Sequence, residues 1–194
     1  MKKVILLSLL PLTAMAAPSL KGFEKTYQDW DLICDNTGTC NMAGYPEYYS
    51  EHPVSILFTR SAGEKAPVTA QLALLREDVG NKTAEIILNG QSLGAIQNIS
   101  EEGIAKLSEK QTTELLTALK GNASIEVVFG EFKAKVSDKG AAAAMLKMDE
   151  FQQRLNTPSA LIRQGQEKHA VLAPKVEPKI DAVSVNNRKT IELK

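Results

Sequence analysis

The sequence predicts an α+β domain in which two or three helices pack on a mainly antiparallel sheet and an N-terminal hairpin is closed by a disulfide. Three observations support this class. Short segments with apolar residues at every second position, separated by turn-forming residues, fill much of the first half of the chain. Segments with apolar residues three and four positions apart follow, as in amphipathic helices. The two cysteines lie close together on either side of a turn sequence.

The first 16 residues have the parts of a secretion signal. Lys2 and Lys3 precede an apolar run over residues 4–15, and Ala14 and Ala16 supply the small residues that signal peptidase requires. The run is shorter than the roughly 20 apolar residues of a membrane-spanning helix. We therefore expect cleavage after Ala16, export to the periplasm of a bacterial envelope, and no transmembrane segment in the mature chain.

Cys34 and Cys40 are expected to form a structural disulfide. In an oxidising compartment two cysteines usually pair, and the intervening Asp-Asn-Thr-Gly-Thr is typical of a hairpin turn. A redox pair would have the Cys-x-x-Cys spacing at the start of a helix, and a zinc site would need further ligands. Because the ring is small, we expect a stabilisation of about 2 kcal/mol.

Strands dominate the first half of the mature chain. Residues 17–26 have no clear pattern and are interpreted as an irregular lead-in. Trp30, Leu32 and Cys34 then recur at every second position, which predicts a strand with these side chains on one buried face. Further strands are predicted over residues 54–60, 68–76, 84–88 and 91–96, with turns between them.

Helical signals follow. Ser100, with two glutamates directly after it, resembles a helix N-terminus, and Ser108 with Gln111 matches a capping box. A hairpin is predicted over residues 124–136, and Ser137 or Asp138 is expected to cap a last helix. One face of that helix carries apolar residues spaced by three and four: Ala141, Ala144, Met145, Met148 and Phe151.

These elements define a single α+β domain over residues 17–155. From residue 156 the sequence is polar and interrupted by Pro174 and Pro178. Such a composition is typical of linkers, so residues 156–194 are predicted to form a flexible tail or linker.

Charge argues against nucleic acid as a partner. Removal of the signal would leave 21 basic and 23 acidic side chains, a net charge of −2. A nucleic-acid-binding domain carries a concentrated basic face, which this sequence does not predict.

The sequence predicts no catalytic, metal or cofactor site. His52 and His169 are the two histidines, and neither has a second ligand at metal-binding spacing. The acidic pairs at positions 77–78 and 149–150 are interpreted as parts of solvated turns or helix faces. The sequence contains no nucleophile elbow, phosphate-binding loop or dinucleotide fingerprint. We therefore expect a protein that is not an enzyme.

The loop from Tyr45 to His52 is the candidate recognition site. It contains three of the four tyrosines, Tyr45, Tyr48 and Tyr49. Tyrosine offers a large contact area at low entropic cost, which favours recognition surfaces. The alternative is that these rings cover the edge of the sheet, which is the commoner use of an aromatic side chain.

Three motifs occur in a specific order along the chain. They are Trp30-x3-Cys34-Asp35-Asn36-x-Gly38-x-Cys40-x3-Gly44-Tyr45, the segment from Gly140 to Arg154, and the segment from Thr157 to Arg163. In this order they resemble the bacterial domain-of-unknown-function family numbered 1176. More distantly, the chain is similar to the invasion-associated locus B proteins, which share the exported Trp…Cys…Cys opening and a late Gly-x-x-x-Ala helix.

The resemblance implies no activity, because the larger family has none that can be transferred. Members are typically nearly twice as long, with a second region after a Pro-rich linker. The resemblance therefore implies that this chain is a short variant or a truncated product.

We expect an exported, non-catalytic binding or envelope-associated module whose partner is another envelope or host protein. A narrower alternative is an inhibitor of a secreted enzyme such as lysozyme, because small disulfide-stapled β-rich proteins can have that role. A further alternative is a hydrolase that uses two carboxylates facing one cleft. The sequence predicts no particular oligomeric state.

Overall fold

The computed structural model describes residues 20–46, 54–74 and 83–175. The predicted signal segment and the side chains of Tyr48, Tyr49 and His52 lie outside these residues.

Ten strands and two helices occupy the described parts of the chain. In order they are β1 (Phe23–Tyr27), β2 (Trp30–Cys34), β3 (Cys40–Gly44), β4 (Val54–Arg60), β5 (Val68–Leu74), β6 (Ala84–Leu88), β7 (Gln91–Ile96), β8 (Ile104–Lys106), α1 (Glu109–Ala118), β9 (Ile125–Phe129), β10 (Phe132–Val136) and α2 (Ala141–Phe151). The first sheet has the order β1-β2-β3-β4-β5-β8 and the second β10-β9-β6-β7. All pairings are antiparallel.

The mainly antiparallel character of the predicted fold is confirmed, but the strands belong to two sheets rather than one. An antiparallel sheet with one apolar face must cover that face. The two sheets and both helices achieve this around one apolar core, with β10 against β4, α1 against β5, and α2 against β1, β2 and β3.

The core of the first sheet is centred on Trp30, whose side chain is fully buried. Its ring stacks on Phe58 at a centroid distance of 6.0 Å, and its indole N–H donates to the carbonyl of Ser137 at 2.9 Å. Gly44 lies directly opposite Trp30 in the β2–β3 pairing. A Cβ atom at Gly44 would overlap the indole ring, so the close fit of this ring requires glycine there.

The disulfide predicted between Cys34 and Cys40 is present. The two residues face each other in the β2–β3 pairing, and the exposed fractions of their side chains are 1% and 0%. Asp35 organises the turn between them by accepting hydrogen bonds from the backbone and hydroxyl of Thr37 and from the backbone of Thr39, at 2.6–3.0 Å.

The capping box predicted at the start of α1 is also present. The hydroxyl of Ser108 accepts a hydrogen bond from the backbone N–H of Gln111, and the side chain of Gln111 accepts one from the backbone of Ser108. Leu115 and Leu116 of this helix face the core. The capping box and the apolar side chains therefore both stabilise α1.

Three local predictions are wrong. The lead-in over residues 17–26 contains β1, because this segment completes the edge of the first sheet by pairing with β2. Ser100 does not begin a helix; its hydroxyl accepts from the backbone of Ile104, closing a turn that leads into β8. Helix α2 has Gly140 at its N-cap with a φ of 95°, and neither Ser137 nor Asp138 caps it.

Residues 156–175 follow the surface of the domain. The backbone of Leu172 donates to the carbonyl of Gln152 at 3.1 Å and accepts from Gly63 at 2.8 Å. Further on, the backbone of Lys175 donates to the carbonyl of Thr37 in the disulfide turn. This segment therefore joins the end of α2 to the turn that the disulfide closes.

Candidate functional site

The outward face of the first sheet is the surface that we single out as a candidate site. We call it the open face, and within β2–β5 and β8 it consists of Asp31, Ile33, Asn41, Ala43, Ser55, Leu57, Thr59, Thr69, Gln71, Ala73, Ile104 and Lys106. These side chains alternate with the buried ones and are exposed or half-buried. No described element covers them, since α1, α2 and the second sheet pack on the opposite face.

The open face holds the large exposed hydrophobic side chains of the described chain. These are Ile33, Tyr45 and Ile104, which are 48%, 41% and 43% exposed. Tyr45 directly follows β3, and the alternation of that strand directs it to the same side as Ala43. Exposed apolar side chains that share one face indicate an interaction surface more strongly than isolated ones do.

The open face and the outer face of the second sheet differ in their charged side chains. On the open face of β2–β5 and β8, Asp31 and Lys106 are the two charged side chains. The outer face of the second sheet instead carries charged side chains of both signs beside Ile87 and Val128; the charged residues are Glu85, Glu126, Lys133 and Lys135. The ion pair between Lys133 and Glu126, 3.5 Å apart, is typical of a solvated face. The first sheet lacks such an arrangement, which is consistent with a surface used for contact.

A cleft of about 520 Å³ opens on the open face beside β8. It is lined by the side chains of Gln71, Ile104 and Lys106 and by the turn residues Gln97, Asn98 and Ser100. Lysine, amide and hydroxyl groups can all donate hydrogen bonds, so the cleft is suited to receive a carboxylate. Ile104 supplies an apolar wall beside these donors.

Tyr45 is the described member of the predicted recognition loop. Its backbone is held on both sides, because its N–H donates to Asp29 at 3.1 Å and its carbonyl accepts from Ser137 at 2.9 Å. Partial burial raises the pKa of the Tyr45 hydroxyl, and the nearby carboxylate of Asp31 raises it further. The described end of the loop is therefore rigid and adjoins the open face. Tyr48, Tyr49 and His52 lie outside the described residues, so their role stays a prediction.

A buried ion pair joins Arg60, at the end of β4, to Asp149 in α2. The guanidinium Nη2 donates to the carboxylate at 2.7 Å, and both side chains are almost completely inaccessible to solvent. The other carboxylate oxygen accepts from the backbone N–H groups of Leu161 and Ile162 at 2.7 and 3.0 Å. Burial lowers the pKa of Arg60, while the charge of Asp149 and its hydrogen bond oppose this effect.

Gln152 connects this ion pair to the disulfide turn. Its side-chain oxygen accepts from Nε of Arg60 at 2.6 Å, and its side-chain nitrogen donates to the carbonyls of Gly38 and Arg60 at 2.8 and 2.9 Å. Every polar atom of this amide group is engaged, so the arrangement fixes helix, strand and turn to one another. The network is structural in character, because its charges are buried and mutually satisfied.

Local sequence patterns do not reveal this network. The acidic pair at 149–150 is predicted to be solvated, but this prediction is wrong for Asp149, whose side chain is 0% exposed. The helical spacing does predict the burial of Asp149 and Gln152, because both lie three or four positions from the apolar residues Met145 and Met148 and so share their face of the helix. A polar residue on the apolar face of a helix indicates a buried partner.

A second cleft, of about 630 Å³, lies above Arg154. It is lined by residues of the 64–65 turn and of the C-terminal segment, among them Glu64, Ser159, Glu167 and His169. The guanidinium of Arg154 donates to the Ser159 hydroxyl at 2.9 Å and to the backbone carbonyls of the turn. Burial and the neighbouring Arg60 lower the pKa of Arg154 to about 10.

The second cleft does not assemble a recognisable catalytic group. The Nε2 atom of His169 lies 3.0 Å from the carbonyl of Gln153 and its Nδ1 lies 3.4 Å from the carboxylate of Glu167. The hydroxyl of Ser159 is bonded to Arg154 and Thr157. His169 and Ser159 do not hydrogen-bond each other, and a base must reach its nucleophile to activate it.

The described residues contain neither a metal-binding cluster nor a membrane-spanning helix. Within residues 20–46, 54–74 and 83–175, no three His, Cys, Asp or Glu side chains are grouped closely enough to hold a metal ion. None of the helices in the described chain combines the length and apolar character needed to cross a membrane.

A family model with the description "Protein of unknown function (DUF1176)" matches residues 24–193. No curated protein and no solved structure matches the chain.

Proposed function

The chain belongs to the DUF1176 family, whose description names no activity, and from this premise we propose that it is an exported, non-catalytic protein-binding module that binds through the open face. The observation that carries the proposal is that Ile33, Tyr45 and Ile104 lie on one sheet face, on which the central strands β3, β4 and β5 carry no charged side chain. Interfaces are depleted in charge at their centre, and the central strands of this face have that property.

The proposal is supported by a contrast within the molecule. The second sheet presents ion-paired charged side chains to solvent, whereas the central strands β3, β4 and β5 of the first sheet present uncharged ones. Leaving apolar side chains on an uncovered sheet face promotes unwanted association unless the face has a partner. A binding partner, which we propose to be another protein, removes this liability.

The test is affinity capture by the immobilised mature protein from bacterial envelope extract and from host secretions. The test variant is Ile33→Lys/Ile104→Lys, which places two charges on the open face at exposed positions. The matched control is Ala95→Lys, at an exposed position of β7 in the second sheet. We expect wild type and control to capture the same proteins and the open-face variant to lose them. Equal recovery by all three contradicts the proposal.

The predicted recognition loop is tested in the same assay. Because Tyr45 adjoins the open face, we propose that Tyr48, Tyr49 and His52 extend the same binding surface. A Tyr48→Ala/Tyr49→Ala variant is then expected to recover less partner than wild type. Undiminished recovery would limit the binding surface to the sheet.

The periplasmic location is part of the proposal and is supported by the N-terminal sequence and the buried disulfide. Fractionation of producing cells is expected to release a chain that begins at Ala17 with the periplasmic contents. A chain that keeps Met1 in the cytosolic fraction contradicts it. The narrower role of lysozyme inhibitor is ruled out when excess protein leaves lysozyme activity undiminished.

A further inference from the structure

We infer that the open face binds a second copy of this chain and forms a two-fold symmetric dimer; this inference rests on the binding function proposed for that face. The proposed partner of this surface is thus the chain itself. The register of the strands places Asp31 and Lys106, which have opposite charges, at equal distances on either side of β4.

One row of side chains crosses the open face, and its part from β2 to β8 carries the inference; beyond Asp31 the row continues to Thr26 on β1. Each member pairs directly with the next in the order Asp31, Ala43, Leu57, Gln71, Lys106. Leu57 on β4 is the middle of this part of the row, and two strand spacings separate it from either end. With strands about 4.8 Å apart, Asp31 and Lys106 each lie about 10 Å from the centre, on opposite sides. The row is therefore acidic on one side and basic on the other, with Leu57 and Ala43 as the apolar side chains between the two charges.

A row of this kind is complementary to itself. When a second copy is placed face to face by a two-fold axis running nearly along β4, its β2 lies over the β8 of the first copy. Asp31 of each copy then meets Lys106 of the other, and the two Leu57 side chains meet at the axis. A two-fold interface uses the same patch on both subunits and satisfies each such pair twice. Stacked sheets commonly pack in this aligned manner, within about 30° of parallel.

The same charges exclude the other face-to-face arrangement. A two-fold axis perpendicular to the strands would place Asp31 against Asp31 and Lys106 against Lys106. Like charges brought together at an interface are unfavourable, so the row specifies which of the two orientations forms. The charges supply orientation, while Leu57 and Ala43 supply apolar contact near the axis.

The cleft beside β8 gives the incoming carboxylate a receptor. Lys106 and Gln71 line this cleft together with the amides of Gln97 and Asn98. Within the described residues Lys106 has no ion-pair partner, and Asp31 accepts one hydrogen bond, from Thr26 at 2.6 Å, and forms no ion pair. Both charges are thus available for a contact between subunits.

Sedimentation equilibrium of the mature protein tests the inference. The single reversals Asp31→Lys and Lys106→Asp each place like charges across both halves of the interface, and we expect each to weaken the dimer at least about tenfold. The double variant Asp31→Lys/Lys106→Asp restores opposite charges and is expected to recover dimerisation. Lys135→Asp, an exposed charge reversal on the second sheet, is the control and is expected to leave the dimer unchanged.

Recovery in the double variant separates a specific charge contact from a general effect on folding, because it carries both substitutions. A wild-type protein that stays monomeric at its highest soluble concentration overturns the inference, as do single reversals that dimerise like wild type. The capture assay distinguishes the two proposals. If the wild-type protein is a monomer and the Ile33→Lys/Ile104→Lys variant no longer captures its proteins, the dimer is overturned and binding of a different protein is supported. If that variant dimerises and captures proteins like wild type, the open face has no binding role.

Discussion

Replacement of Asp149 by alanine is expected to be one of the most destabilising single substitutions in this protein. The carboxylate accepts three hydrogen bonds, one from Arg60 and two from the backbone of Leu161 and Ile162. Its removal leaves the positive charge of Arg60 buried without its counter-charge, and it leaves two N–H groups without their acceptor. Breaking a buried ion pair from one side costs about 3–5 kcal/mol, and the orphaned N–H groups place the expected cost in the upper half of that range.

The assay is urea unfolding of the oxidised mature protein, followed by circular dichroism. The matched control is Glu150→Ala, because Glu150 is the next residue of the same helix but forms an exposed ion pair with Lys147 at 3.1 Å. An exposed pair contributes less than about 1 kcal/mol. The large cost is thus expected at position 149 and not at position 150.

A double-mutant cycle tests the physical reason. Arg60→Met and Asp149→Leu each leave one buried group without its partner, whereas the double variant leaves neither charge. The double variant is therefore expected to be more stable than the sum of the single effects predicts, with a coupling of about 2 kcal/mol or more. Additive effects, or an Asp149→Ala variant within 1 kcal/mol of wild type, would refute the role assigned to this pair.

Three further predictions concern the disulfide hairpin. Gly44→Ala is expected to lower the free energy of unfolding by more than about 3 kcal/mol, because the new methyl group would overlap the buried indole of Trp30. The control is Gly121→Ala, since nothing lies within 4 Å of a Cβ atom there. Equal unfolding midpoints of the two variants would contradict the packing argument. The double variant Cys34→Ser/Cys40→Ser is expected to lower the free energy of unfolding by about 2 kcal/mol. The comparison is with wild type in the absence of reductant. A variant as stable as wild type would show that the disulfide contributes no stability. Partial burial raises the pKa of Asp35, but hydrogen bonds from Thr37, Thr39 and Gly38 outweigh this and leave the pKa below its usual 3.8. A lowered carboxyl pKa stabilises the folded state above the unfolded-state value, and this contribution is lost as the pH falls through the folded-state value. The stability advantage of wild type over Asp35→Asn should therefore be present at neutral pH and decline below a pH of about 4; an advantage that does not change with pH would contradict this sign.

Local sequence patterns predicted much of the secondary structure. The predicted bounds of β4, β6 and β7 agree with the structure, because alternation and turn residues are local signals. The prediction missed β1, whose sequence Phe-Glu-Lys-Thr-Tyr becomes a strand through its pairing with β2. It also joined all strands into one sheet, since the separation of β6 and β9 from the first sheet depends on contacts distant in sequence.

The candidate site was less accessible to sequence reasoning. The tyrosine-rich loop drew attention to Tyr45, which does adjoin the open face. Asp31, Leu57 and Lys106 give no signal on their own, because their relation exists only through the pairing of five strands. The buried pair of Arg60 and Asp149 is similar, with 89 positions between its members along the chain.

The burial of the disulfide has a consequence for the order of maturation. Oxidants and reductants act on sulfur atoms that they can reach, and the folded domain leaves 1% of Cys34 and none of Cys40 accessible. The amide of Gln152 and the side chain of Leu172 lie against Gly38 at the tip of that hairpin, and both are synthesised long after the cysteines. The bond must therefore close while the carboxyl-terminal part of the chain is still unpacked. Once that part has packed against the hairpin, it shields the disulfide from solvent. Thiol exchange at these cysteines therefore takes place during folding and not in the folded protein.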